Sequence, residues 1–272
     1  MKSPLISVLI PTYNRVAYLK ECLNSVLRQT WFKKNEIEIL IWDNSEWNET
    51  KELINTFLKK ENLYNIKYIK NEKNMWSTRN TNNLLDLSNW VYYIILSDDD
   101  KFYDKNSLKL LYDHLIKYNL DVCYWKYRVI NWEWKDLWDF KPHTKIWKKK
   151  IYYDSFEEQM LQHSISFGWI LYRKFWYKYD YWSKWFWDWT MNLQYLHDKK
   201  IVALINEYTL YYRVHNSNDS WGIPRNFWLK FLFYRCSYFK SYRFFFWAIL
   251  KSVKWKLRKL LDIWGINTSF EI

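Results

Sequence analysis

Residues able to do chemistry crowd into a few short stretches of this 272-residue chain, and the densest is Ser97-Asp98-Asp99-Asp100. Three adjacent carboxylates repel one another, so the arrangement is destabilising unless a cation sits among them. Mg²⁺ or Mn²⁺ suits such a place, because a hard ion takes one or two carboxylates together with substrate phosphates. A solvated acidic turn is the competing reading, and the triplet alone does not decide between them. The other stretches of interest are Pro11-Thr12-Tyr13-Asn14-Arg15, Asp43-Asn44-Ser45, Ser77-Thr78-Arg79-Asn80, Asp188 and Arg213-Val214-His215.

The segment before each stretch must position it. Val91–Leu96 is a run of six apolar or aromatic residues, which reads as a strand buried on both faces. Leu5–Ile10 is a further short apolar strand, and Ile37–Ile41 and Ile66–Ile69 read as two more strands. Between them lie helical stripes: Leu19, Leu23, Val26 and Leu27; then Leu53, Ile54, Phe57 and Leu58, with Asn48 or Thr50 as the cap; then a helix capped by Ser77 and running to Leu87. Four consecutive β-α units imply a parallel sheet wound with right-handed crossovers. Ligands of such sheets bind beyond the carboxyl ends of the strands. Tyr13, Asp43 and Asp98–Asp100 are therefore expected to converge at one edge.

The second half is less regular. Asp104 or Ser107 should cap a helix carrying Leu108, Leu111 and Leu115, and Asp121–Ile130 reads as a strand. Residues 131–150 are turn-rich, Ser155–His163 has helical character, and Ile170–Arg173 has strand character. Asp188 stands just before a helical stretch from Met191, and Tyr208–His215 is strand-like.

Composition narrows the class. A formal charge of +13 points to an anionic partner. Cys22, Cys123 and Cys236 form no metal-binding or disulfide spacing, which fits a reducing compartment. The start, Met-Lys-Ser-Pro, runs straight into a strand and leaves no room for a signal peptide, and no apolar run reaches the roughly 18 residues of a spanning helix. The expected location is cytoplasmic. From Asn226 to Leu261 there are nine Lys or Arg and no acid. Phe246, Ile249, Leu250, Val253, Leu257 and Leu260 form one helical stripe there, with Lys251, Lys254 and Arg258 beside it. That pattern suits either an anionic membrane interface at 239–261, which would make the protein peripheral at the inner face of the cell membrane, or a helix packed on its own domain.

One count is abnormal. The chain has 21 Trp and only 3 Gly, a combined total close to the roughly 19 glycines of average usage. Several Trp stand where turns want glycine, as in Asn131-Trp132-Glu133-Trp134 and Glu46-Trp47-Asn48. The reading adopted is that most of them are UGA codons decoded as glycine in the source organism. A Trp-rich protein is the alternative, at the cost of strained turns and exposed apolar surface.

Four motifs in order carry a resemblance: Ser7-Val8-Leu9-Ile10-Pro11-Thr12-Tyr13-Asn14-Arg15, Ile41-Trp42-Asp43-Asn44-Ser45, Asn74-Met75-Trp76-Ser77-Thr78-Arg79-Asn80 and Leu96-Ser97-Asp98-Asp99-Asp100. Together they resemble a family 2 glycosyltransferase with the GT-A fold, an α/β Rossmann-like, mostly parallel sheet with flanking helices. Glycines usual in that family fall at Trp76 and Trp90. The resemblance implies an inverting, metal-dependent transfer from a nucleotide-sugar donor, of the UDP class, to a glycan or lipid-linked acceptor in cell-surface glycan synthesis. It implies Pro11 in the nucleotide-sugar site, Tyr13 stacked on the base, Asp43 accepting from the uracil ring, and Arg79 near the phosphates. Asp98, Asp99 and Arg213 would serve the nucleotide sugar. Asp100 with His215 would hold Mg²⁺ or Mn²⁺, and Asp188 would be the general base, although the Glu that often precedes that Asp is Trp187 here. The expected organisation is a catalytic domain over 1–225, with a nucleotide-sugar half to 125 and an acceptor half from 126, then a basic aromatic tail over 226–272. A sugar-nucleotidyltransferase and a non-catalytic, membrane-docked glycan-binding relative are the alternatives. Nucleic-acid binding ranks last, because the basic residues concentrate in one amphipathic stretch.

Overall fold

The computed structural model describes residues 6–33, 36–61, 65–89, 91–131, 133, 135–139, 151–153, 171–175, 177–178 and 187–216. The first apolar run forms β1 (Ile6–Thr12), which lies between two parallel neighbours, β2 (Ile37–Asp43) and β4 (Tyr92–Ile95). Ile6 pairs with Ile37 and Thr12 with Asp43 across one ladder, and Ile6 with Tyr92 across the other. Outside β2 lies β3 (Ile66–Lys70), also parallel.

Beyond β4 the sheet changes character. The later strands are β5 (Lys101–Phe102), β6 (Val122–Ile130), β9 (Leu171–Arg173) and β10 (Val202–Arg213). The sheet order is β3-β2-β1-β4-β9-β6-β10-β5. β9 is antiparallel to both β4 and β6, β10 runs parallel to β6, and β5 pairs antiparallel to β10. Short β7 (Asp136–Asp139) and β8 (Ile151–Tyr153) attach to β6 and β10.

Alternation along the strands feeds two cores. Ile6, Val8 and Ile10 pack with Leu19 and Leu23 of α1 (Val16–Leu27), Ile54 of α2 (Glu49–Glu61) and Leu108 and Leu111 of α4 (Ser107–Lys117). Leu9, Leu40 and Tyr93 point the other way, onto Leu84 of α3 (Ser77–Leu87) and Tyr195 of α5 (Trp187–His197). With helices on both faces, the central strands bury almost every side chain, which is why they read as mainly apolar runs. The two polar interruptions, Ser7 of β1 and Glu38 of β2, are buried against each other, the Ser7 hydroxyl donating to Glu38 Oε1 at 2.7 Å. Each Leu or Ile so buried contributes roughly 1.5–3 kcal/mol.

The structure adjusts several expectations. β1, β2 and β3 each continue past the apolar run, to Thr12, Asp43 and Lys70, because ladder pairing does not end where apolarity does. Ser77 is the first residue of α3 and Asn106 precedes α4; neither helix has a side-chain cap. Asp104 instead accepts the Asn106 N–H at 2.6 Å, a local turn ahead of the helix. The two-residue β5 is an addition that the sequence pattern does not predict. Trp76 precedes α3 with φ 69° and ψ 152°, a region open essentially to glycine alone. Among the described tryptophans only Trp76 has positive φ, and Trp31, Trp47 and Trp76 are exposed. The helix expected over Ser155–His163, Trp90 and the tail from 226 lie outside the described residues.

Candidate active site

Parallel registry puts the ends of β1, β2 and β4 side by side, and the polar stretches after them meet there. Thr12 donates its hydroxyl to Asp98 Oδ2 at 2.7 Å, and the Tyr13 N–H points at the same oxygen from 3.3 Å. On the β2 side, the Asn14 N–H donates to Ser45 Oγ at 2.8 Å. Asn14 takes positive φ (52°), which its short polar side chain tolerates, and so turns the chain from β1 into α1. Pro11 is half-buried in β1. Tyr13 stands 41% exposed above this junction, its hydroxyl donating to Glu46 Oε1 at 3.0 Å. An exposed ring on a fixed backbone suits stacking on a planar ligand.

Asp98, Asp99 and Asp100 are all buried, so their charge must be answered nearby. Arg15 Nη1 reaches Asp98 Oδ1 at 3.2 Å and Asp99 Oδ2 at 2.9 Å. From the far strand β10, the Arg213 N–H donates to Asp100 Oδ1 at 3.0 Å and its Nε to the Asp99 carbonyl at 3.1 Å. The same guanidinium continues to Glu21 Oε2 at 2.7 Å and lies over the Tyr18 ring, 4.4 Å from its centre. His215 Nε2 stands 2.9 Å from Asp99 Oδ2, its ring 5.1 Å from that of Tyr18. Both residues at the end of β10 thus reach the triplet, Arg213 through its backbone N–H and Nε and His215 through its ring. Arg213, however, is only 1% exposed, so its guanidinium braces the triplet from behind and does not line the open cleft.

The balance remains negative. Burial, then the neighbouring Asp99 charge, push Asp98 up to about 6, against the pull of Arg15, Thr12 and the Tyr13 N–H. Burial and all three aspartates likewise raise the thiol of Cys22, which lies beneath the triplet. Three aspartates and Glu21 face two guanidiniums and one imidazole, and hard oxygen donors with residual negative charge fit a divalent cation in type. As placed, no group of three or more His, Cys, Asp or Glu side chains gathers to hold a metal among the described residues.

Asp43 sits at the end of β2 with no exposed atom. Its Oδ1 accepts the Ser45 N–H at 2.7 Å and its Oδ2 the Tyr68 hydroxyl at 2.7 Å. Burial, then that hydrogen bond, raise the Tyr68 phenol. Arg79 follows Thr78 in the first turn of α3, its side chain partner to neither the triplet nor Asp43. Asp188 is the second residue of α5, and its side chain lies outside the described residues. Arg15 stands within a quoted motif, yet its pairing with the triplet was not expected from sequence. Nor were the parts played by Tyr18, Glu21, Tyr68 and Asn71. Tyr18 and Glu21 are three residues apart on α1, a spacing that puts both on one side of the helix.

Known proteins share this chain's family and its fold. A family profile described as glycosyl transferase family 2 matches residues 7–179. The abequosyltransferase RfbV of Salmonella typhimurium is 41% identical over 113 residues, covering 41% of this chain and 32% of the relative. An uncharacterized glycosyltransferase of Methanocaldococcus jannaschii is 30% identical over 166 residues, or 60% of this chain and 55% of that one. The matched segments thus span from about a third to just over half of those relatives. Among solved structures, S. aureus TarS 1–349 in complex with UDP-GlcNAc superposes with a TM-score of 0.63 at 16% identity, over 85% of this chain and 66% of that one. That likeness is one of fold, and the GT-A architecture expected from the motifs is the one found.

Proposed function

Since the chain belongs to glycosyl transferase family 2, we propose that it moves a sugar from a nucleotide diphosphate donor, of the UDP class, to an acceptor hydroxyl, with inversion at the anomeric carbon. The observation that carries the reading is the meeting of Tyr13, the Asp43–Ser45 turn and Asp98–Asp100 at the carboxyl ends of the neighbouring strands β2, β1 and β4, with His215 reaching Asp99 from the end of β10. Tyr13 stacks on the base. Asp43 has lone pairs beyond its two protein donors with which to accept from the base ring. Asp98 and Asp99 hold the ribose and sugar side, Arg79 meets the phosphates, and Arg213 braces the triplet.

Asp100 with His215 would hold Mg²⁺ or Mn²⁺, and such an ion neutralises charge on a departing diphosphate. The carboxylate of Asp188 takes the proton of the acceptor hydroxyl as its oxygen bonds to the anomeric carbon and the bond to the diphosphate oxygen breaks. The acceptor is a glycan or lipid-linked hydroxyl of a cell-surface polymer. Residues 1–225 form the catalytic domain of this proposal, and the basic 239–261 stretch of the 226–272 tail rests on an anionic membrane surface at the cytoplasmic face.

A donor screen tests the proposal, using metal-dependent release of nucleoside diphosphate from a panel of nucleotide sugars, with and without acceptor extracts. UDP-sugars should turn over. Asp188→Asn should lower turnover by at least about 100-fold while UDP affinity stays within about twofold. No turnover of any donor with Mg²⁺ or Mn²⁺ would sink the catalytic reading, and collapse of UDP affinity in the Asp188 variant would move the base elsewhere.

A further inference from the structure

A chain of three amides closes the β2–β3 end of the site, and its hub is Asn71, the residue directly after β3. The Asn71 Nδ2 group donates to Asn44 Oδ1 at 2.7 Å and to Asn80 Oδ1 at 2.8 Å, while its Oδ1 accepts the Trp42 indole N–H at 2.8 Å. Its backbone N–H donates to the Asp43 carbonyl at 2.9 Å. Asn44 Oδ1 takes a second donor, the Met75 N–H, at 3.1 Å. Asn80 returns its Nδ2 to the Trp42 carbonyl at 3.4 Å.

The orientation of the Asn71 amide is set by its neighbours. The indole and the Met75 N–H can only donate, so Asn71 Oδ1 must face Trp42, and Asn71 must donate to the oxygen that Met75 also uses. Every polar atom of the Asn71 amide is then engaged, and Asn44 and Asn80 are buried. Asn71 and Trp42 are half-buried, and losing the hub strands several of these donors and acceptors at once.

Those partners belong to three separate pieces of the donor site: the end of β2 carrying Asp43, the 71–76 connection, and the first turn of α3 carrying Arg79. We infer that Asn71 is a positioning residue that sets the register of the base-binding and phosphate-binding pieces against each other, acting through Asn44 and Asn80 without touching the donor. The inference rests on the nucleotide-sugar reading above and assigns the work to donor affinity alone.

The test is UDP binding by calorimetry, alongside donor and acceptor KM, in Asn71→Ala, the near-isosteric Asn71→Asp, and Trp42→Phe, which takes only the indole donor. The Asn71 variants should weaken UDP by about tenfold or more, the loss expected from one or two charge-free hydrogen bonds, with acceptor KM within about twofold. Trp42→Phe should fall between them and the parent. UDP affinity within about twofold of the parent in both folded Asn71 variants would overturn the inference. So would equal damage to donor and acceptor KM, or failure of both Asn71 variants to fold, since each marks a purely structural residue. If the parent protein binds no UDP, it is the donor reading that fails, and the two failures are told apart.

Discussion

At the β1–β4 end of the site the fixed side chains are charged: Asp98, Asp99 and Glu21 against Arg15 and Arg213, with His215 between. At the β2–β3 end they are amides and hydroxyls, Asn44, Asn71, Asn80 and Tyr68, around one carboxylate, Asp43. Both ends combine buried and half-buried groups, yet they answer to different variables. Removing one charge from a buried group strands the others in a medium of low dielectric, and the balance there shifts with pH. Neutral hydrogen bonds do not titrate in that range, so the amide end responds to geometry.

The largest effect should come from cutting the charged end. Arg213→Met leaves Glu21 without its ion pair and the Asp99 carbonyl without its Nε donor, and should lower unfolding free energy by about 3–5 kcal/mol, measured by urea titration. A loss under about 1 kcal/mol would mean that the two ends are held alike. Next comes pH. Asp98 is pushed up to about 6, above the ordinary 3.8, so the folded chain binds that proton more tightly than the unfolded chain does. Stability should therefore fall as pH rises from about 4 to 6 and level off above, by a few kcal/mol at most. Thermal melts without divalent ions, compared with Asp98→Asn, read this directly. An identical slope in the variant would remove Asp98 as the source. The smallest effect belongs to the amide end. Trp76→Gly relieves a backbone conformation that costs about 1–3 kcal/mol in a residue with a Cβ, less glycine's extra entropy, so a net gain of about 1 kcal/mol independent of pH is expected. Loss of stability would argue that Trp76 is the native residue, and peptide mass spectrometry of protein from the source decides its identity.

Strand ends were legible because an apolar run that stops at a polar cluster marks both the strand and its ligand edge. Tyr13, Asp43 and the triplet were found that way. Arg213 and His215 were legible as a pair, but not what each would touch. β5 escaped notice because two residues carry no period, and it exists through pairing with Leu210 and Tyr211. β9 read as a strand, but its antiparallel seat between β4 and β6 depends on partners that no local pattern names. Asn71 escaped for the same reason: an asparagine after a strand reads as a turn residue, and its hub role emerges only when Asn44 and Asn80 are brought beside it. The Trp76 conformation, in contrast, was foreshadowed by composition, since a chain with 3 glycines must place other residues where glycine belongs.

Part of what holds the triplet arrives late in the chain. Arg213 meets Asp100 across 113 positions and Glu21 across 192, while β1 to β4 pair among themselves over shorter separations. Loop closure over such lengths comes after local pairing, so the parallel half can organise before its acidic edge gains its contacts from β10. During synthesis, a chain that has not yet emitted β10 carries three crowded carboxylates and, among the described residues, Arg15 as their guanidinium partner. Emergence of Val202–Arg213 then completes the edge in one step, since this strand pairs with β6, β8 and β5 and delivers Arg213 at its end. Assembly order thus makes the acidic edge a checkpoint: fragments ending before β10 contain all four family motifs and still lack a finished site.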